Sequence, residues 1–125
     1  MSEIKVLAIP GGRLPIPNAV IHNGLVYVSG QAPVDADGRA TTPDFKDQVR
    51  ETLGRIDGIL AQAGTSKDRA IMVRVYLADV QKDFPAMNEV YRQWIGEHRP
   101  ARTTIGAVLA DASLKVEIDL IAAVE

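Results

Sequence analysis

The chain has 125 residues, 46% of them apolar and 24% charged, with a formal net charge of −2 and acids and bases mixed along its length. That is enough apolar material for one core and little for a second, so a single domain over residues 1–125 is expected. No basic stripe with interleaved aromatics is present to neutralise phosphates, which disfavours nucleic acid as a partner, and the absence of cysteine excludes disulfides, thiolate catalysis and cysteine-ligated metals.

Residues Glu3 to Ile9 alternate weakly and predict a short strand that ends at the turn cluster Pro10-Gly11-Gly12. Ala19-Val20-Ile21-His22 and Leu25-Val26-Tyr27-Val28 flank Asn23-Gly24, a pair that tolerates positive φ at both positions and so predicts a two-residue hairpin. Ser29-Gly30-Gln31-Ala32-Pro33 closes that hairpin, and Asp35-Ala36-Asp37-Gly38 predicts a turn.

Thr42-Pro43-Asp44 carries the marks of a helix start, with the threonine hydroxyl as N-cap and proline at the first position. Phe45, Val49, Leu53, Ile56, Ile59 and Leu60 then recur at helical spacing, and Gly64 sits where a C′ glycine belongs. Gly54 and Gly58 each weaken such a helix by about 1 kcal/mol relative to alanine, and close packing on a sheet is their expected purpose.

Ala70 to Leu77, rich in β-branched residues, predicts a strand. A second helix is expected from a cap at Asp83, with Pro85 in its first turn, presenting Phe84, Met87, Tyr91, Trp94 and Ile95 and ending near Gly96. Two further strands follow. In the last, Leu114, Val116, Ile118, Leu120 and Ala122 share one face, while Lys115, Glu117 and Asp119 share the other. In the strand before it, Thr103, Ile105 and Ala107 form the expected core set, which leaves Arg102, Thr104 and Gly106 opposite.

This order of elements implies an α+β fold, a mixed sheet of about six strands with both helices on one face. The other face, with Val73 or Met72, Tyr27 and Ile121, must meet water or another chain, and self-association is the expected answer. If the last two strands share a sheet, a guanidinium, a hydroxyl and two carboxylates lie on one non-core surface, a set suited to holding a small anion beside a carboxylate that steers water. Paired as a simple hairpin, they would put Glu117 opposite Gly106, roughly 13 Å from Arg102 at strand rise. Converging side chains, an intervening water or a different register would each close that gap.

His22 and His98 are isolated and lack metal-ligand spacing, so no metal site is expected. No apolar run approaches the roughly 20 residues of a membrane helix, and the N-terminus has no signal-like apolar stretch. A cytoplasmic protein without a membrane partner is the expectation.

Five segments in order, Tyr27-Val28-Ser29-Gly30-Gln31, Ala63-Gly64, Met87-Asn88-Glu89-Val90-Tyr91, Pro100-Ala101-Arg102-Thr103-Thr104 and Val116-Glu117-Ile118, resemble the RidA/YjgF superfamily, the reactive intermediate deaminases. The resemblance spans nearly the whole chain. It implies a chorismate-mutase-like fold, a homotrimer whose sheets form an inner barrel, and clefts between subunits. It implies hydrolysis of short 2-imino acids or their enamine tautomers to 2-oxo acids and ammonia, with no cofactor.

Within that resemblance Arg102 matches the arginine that binds the substrate carboxylate, a role suited to its planar fork. Glu117 matches the glutamate that orients the attacking water. Ser29 and Gly30 end a strand where backbone groups approach the ligand, and Asn88 and Thr104 complete the expected substrate-binding set. Thr104 stands where many relatives carry cysteine. Asn88 reads first as a structural hydrogen-bonding residue, while the plain alternatives are a surface ion-pair partner for Arg102 and a solvated strand carboxylate for Glu117. Ile16 occupies the place of a cleft tyrosine, so a polar handle is lost, and Leu109-Ala110 lacks a usual proline. Two competing functions are a non-catalytic trimer that binds a small carboxylate metabolite and an RNA-cleaving translation inhibitor. The latter is opposed by the acidic balance and the lack of paired histidines.

Overall fold

The computed structural model describes residues 3–124; residues 1, 2 and 125 of the expected 1–125 domain lie outside the described residues. Six strands form one mixed sheet, β1 (Lys5–Leu7), β2 (Ala19–His22), β3 (Leu25–Gln31), β4 (Ala70–Leu77), β5 (Ala101–Gly106) and β6 (Val116–Ala123). Two helices, α1 (Phe45–Gln62) and α2 (Val80–Ile95), follow β3 and β4 and pack on one sheet face. The strand order is β1-β2-β3-β6-β4-β5. All pairs are antiparallel except β4 with β5, which are parallel through the α2 crossover.

The hairpin forms as its turn residues require, with φ of 51° at Asn23 and 76° at Gly24. Helix α1 buries Phe45, Val49, Leu53, Ile56, Ile59 and Leu60, the full helical-period set, against Val26, Val28, Ile118 and Leu120. It ends in a Schellman arrangement: Gly64, at φ 85°, donates to Ala61 O and Thr65 N donates to Leu60 O.

Both helix starts differ from expectation. The α1 cap is Asp44, whose carboxylate accepts from Asp47 N at 3.0 Å, so Thr42 and Pro43 lie outside the helix. Helix α2 starts a turn early, at Asp79, whose carboxylate accepts from Lys82 N while its carbonyl accepts from Asp83 N. Pro85 therefore sits inside the helix. Two aspartates one turn apart both satisfy the capping pattern, and the tertiary position of the chain leaving β4 selects the earlier.

Gly54 and Gly58 are not pressed on the sheet. A β-carbon at either would meet nothing within 4 Å, and both are exposed. Gln48 is a fully buried polar residue that the pattern gave no reason to expect. Its amide donates to Thr42 O and Ser113 O and accepts from Lys115 N at 2.9 Å. Those three bonds fasten α1 to the chain entering β6, two residues before Glu117.

The last two strands do not pair with each other. β4 lies between them: Glu117 is opposite Tyr76, and Tyr76 is opposite Ile105. The faces of β6 are as expected, with Val116, Ile118, Leu120 and Ala122 buried. Those of β5 are inverted. Arg102 and Thr104 are in register with Val73 and Val75, which are fully buried under the helices, so they share the helix-covered face. Thr103 and Ile105 point to the open face, where Ile105 is 48% exposed. Apolar weight picked the wrong set because the open face carries apolar residues too. It carries Tyr27 and Ile121, with Met72 rather than the fully buried Val73.

Candidate functional site

Arg102 stands on the edge strand β5, beneath α2. Parallel pairing with β4 turns its side chain toward Phe84, Asn88 and Tyr91, which lie at i, i+4 and i+7 on one helix face. Its Cζ is 4.7 Å from the centre of the Tyr91 ring and 5.8 Å from that of Phe84. Nε donates to Thr104 Oγ1 at 2.9 Å, and Nη2 donates to Asn88 Oδ1 at 2.5 Å. Both acceptors are neutral. Among the described residues the ion pairs are Lys46–Glu89, Arg50–Asp47, Arg55–Glu51 and Arg74–Asp119, so no carboxylate answers this charge. Burial pulls the Arg102 guanidinium below the usual arginine range, and the Tyr91 phenol opposes the shift.

The guanidinium borders a cavity of about 220 Å³ lined by Asn88, Tyr91, Arg92, Ile95, Arg99 and Arg102. Nε and Nη2 are thus anchored, and Nη1 has no hydrogen-bond partner among the described residues. Asn88 and Thr104 join Arg102 here as its hydrogen-bond acceptors, which unites three of the six candidate residues. Phe84 and Tyr91 complete the aromatic seat. Their 84-88-91 spacing with Asn88 is legible in the sequence, but the strand they face is not.

Glu117 lies on the other face of the same sheet. It is half-buried, flanked by Asp119 on its own strand and by Tyr76 on β4. Asp119 accepts from Arg74 Nε at 2.7 Å and from the Tyr76 hydroxyl at 2.9 Å, so its charge is answered. Burial first, then repulsion from Asp119, lifts the Glu117 carboxyl above the usual carboxylate range.

Gly30 meets Glu117 from β3. The β3–β6 register shifts between Val28 and Gln31, and at that irregularity a β-carbon on Gly30 would stand 2.4 Å from Glu117 Oε2. Glycine here makes room for the carboxylate. Ser29 N donates to Asn18 O, and Ser29 O accepts from the Gln31 amide. Ser29 and Gly30 also border a second, larger cavity of about 560 Å³, whose wall includes Ile16, Arg55 and Ile59. Ile16 is 48% exposed there.

The six candidates therefore form two groups on one chain: Arg102, Asn88 and Thr104 under α2, and Glu117, Gly30 and Ser29 about the β3–β6 irregularity. Three residues of strand rise and two interstrand spacings separate Arg102 from Glu117, about 14 Å, with the sheet between their side chains. The expected common surface does not exist within one protomer. No helix among the described residues is long and apolar enough to cross a membrane, and no group of three or more potential metal ligands was found among them.

A family model described as Endoribonuclease L-PSP matches residues 13–124. A RutC family protein of Pyrococcus horikoshii is 38% identical over 109 residues, covering 86% of each chain. The mitochondrial protein mmf2 of Schizosaccharomyces pombe is 38% identical over 112 residues, 87% of each chain. Yeast Mmf1 superposes with a TM-score of 0.86 at 29% identity, over 98% of this chain and 100% of that one. A YjgF family member from Neisseria meningitidis gives 0.85 at 29% identity, over 98% and 96%.

Proposed function

This chain belongs to the endoribonuclease L-PSP family, the RidA/YjgF superfamily, and from that membership we propose that it hydrolyses reactive 2-imino acids and their enamine tautomers to 2-oxo acids and ammonia. The observation that carries the reading is Arg102: a half-buried guanidinium, seated by aromatics, whose partners in the chain are neutral oxygens. A charge held away from water without a counter-ion favours an anionic ligand, and a planar fork favours a carboxylate.

The second requirement is a carboxylate near the reacting carbon. Glu117 supplies one whose raised pKa makes it a better proton acceptor than an ordinary glutamate. In the reaction the water oxygen bonds to C2 of the iminium and the C=N π pair moves to nitrogen. Glu117 takes a proton from that water and hands it to the amine. The C–N bond then breaks, ammonia leaves with the bonding pair, and the hydroxyl loses its proton to become the carbonyl. An iminium carbon is already electrophilic, so little more is required.

A small 2-imino acid cannot touch Arg102 and Glu117 of one protomer through the sheet. Two copies resolve this: the edge carrying Arg102 on one protomer meets the Gly30–Glu117 region of the next. The open face, with Tyr27 42% and Ile105 48% exposed, supplies apolar surface for that assembly. A homotrimer with three such clefts fits both the family resemblance and the divided site. RNA cleavage, named in the family's description, finds no support in the histidines, since His22 Nδ1 meets Glu3 O and His98 Nε2 meets Ala70 O.

The test is coupled turnover. Purified protein added to a dehydratase that generates 2-aminoacrylate is expected to accelerate release of the 2-oxo acid, and Arg102→Ala is expected to abolish that gain with the oligomer intact. A properly assembled protein giving no acceleration over buffer would overturn the proposal.

A further inference from the structure

The cavity under α2 holds more positive charge than one carboxylate requires. Arg92, on the last turn of α2, and Arg99, in the connection to β5, border the same space as Arg102. None of the three appears in an ion pair among the described residues, and the cavity wall contains no acid. Arg99 uses Nη1 on the Gly96 and His98 carbonyls, which closes the end of α2 and leaves its other nitrogens without a partner among the described residues. Arg92 makes no side-chain hydrogen bond among the described residues. Basic residues in a last turn complement the helix dipole, which accounts for Arg92 and Arg99 singly. It does not account for the convergence of these two exposed arginines on a pocket that already contains a half-buried cation, because like charges repel and solvent screens that repulsion only in part.

The space itself is larger than a single carboxylate needs. At about 30 Å³ per water in the liquid, about 220 Å³ holds several water volumes beside the fork. A ligand carrying one carboxylate on Arg102 and a second anionic group a few bonds away would reach the Arg92–Arg99 side and neutralise the surplus. Every charged donor there is a guanidinium, which favours planar, bidentate partners.

We propose that the Arg92–Arg99–Arg102 pocket is a dianion site and that the substrate class of this protein is the imine or enamine of a dicarboxylic amino acid, its second carboxylate held by Arg92 and Arg99. This rests on the deaminase reading for the identity of the reacting group, but the dianion preference stands on the pocket alone. The chemistry at C2 is unchanged: water adds, the C–N bond breaks and ammonia leaves.

The test uses stable 2-oxo acids and needs no turnover. Calorimetric titration of the full chain with 2-oxoglutarate and with 2-oxobutanoate is expected to show the dianion binding at least about tenfold more tightly, a difference of about 1.4 kcal/mol. The Arg92→Gln/Arg99→Gln double variant is expected to bring the ratio of the two affinities close to unity. Arg99→Lys, which keeps the charge and can still reach the helix-end carbonyls, is expected to retain most of the preference, separating ligand binding from a loosened α2 terminus. Inorganic phosphate forms the third arm. Competition with 2-oxoglutarate at equal or greater affinity would assign the arginines to a free phosphate and overturn the substrate claim. Equal affinities for the two oxo acids in the unmodified protein would overturn it as well. Since these are binding readouts, they fail separately from the deaminase reading: turnover of small imines without a dianion preference sinks only the inference, and a dianion preference without turnover sinks only the catalytic proposal.

Discussion

The Glu117 carboxylate rests against the bare Cα of Gly30, so that a β-carbon there would stand 2.4 Å from Oε2 and 3.1 Å from Cδ. The crowding falls on the far end of a flexible side chain, and Gly30 has no positive φ to forbid a substituent. Gly30→Ala is therefore expected to fold, with stability within about 1 kcal/mol of the parent since removing glycine also restricts the unfolded chain. The carboxylate must move, and the turnover number is expected to drop at least about tenfold if it handles the attacking water. Thermal melting alongside the coupled deaminase assay checks this. A variant as active as the parent would remove Glu117 from the reaction.

Arg102 and Glu117 on opposite faces lead to a complementation experiment. Arg102→Ala and Glu117→Gln homo-oligomers are each expected to be inactive. Dissociated and reassembled together, they are expected to regain activity, because some clefts then pair an intact arginine from one protomer with an intact glutamate from another. Mixed oligomers that remain dead would mean that the two residues do not act across an interface.

The raised pKa of Glu117 sets a pH dependence with a definite sign. The folded state binds this proton more tightly than the unfolded chain, so the stability it contributes is complete below the ordinary carboxylate value and is lost as pH rises through the folded value. Glu117→Gln is expected to flatten that decline, as read by denaturant unfolding across the acid-to-neutral range. Activity runs the other way. A carboxyl that accepts a proton from water must first ionise, so the rate is expected to rise with pH through the same raised value.

Gly54 offers a prediction independent of function. It lies mid-helix in α1, exposed, with nothing within 4 Å of a substituent. Gly54→Ala is expected to stabilise the protein by about 1 kcal/mol, seen as a higher melting temperature with unchanged catalysis. A destabilised variant would mean that another chain packs closely against that helix face.

Local chemistry made much of this fold legible in the sequence. Asn23-Gly24 dictates its hairpin because both positions need positive φ. The 45-49-53-56-59-60 set dictates the buried stripe of α1, and the alternation of β6 dictates that Glu117 and Asp119 leave the core together. Capping was harder, since Asp79 competes with Asp83 and Asp44 with Thr42, and each pair differs only in how the preceding chain arrives.

The amino-acid pattern by itself determined the elements, the family likeness and the residue types of the site, because propensity, periodicity and turn geometry act over a few neighbours. Only the tertiary structure decided that β4 separates β5 from β6, that Arg102 lies beneath α2, and that Glu117 leans on Gly30 across the sheet. Alternation assigns residues to two sides of a strand without saying which side is covered. That choice belongs to strand order, which long-range packing settles.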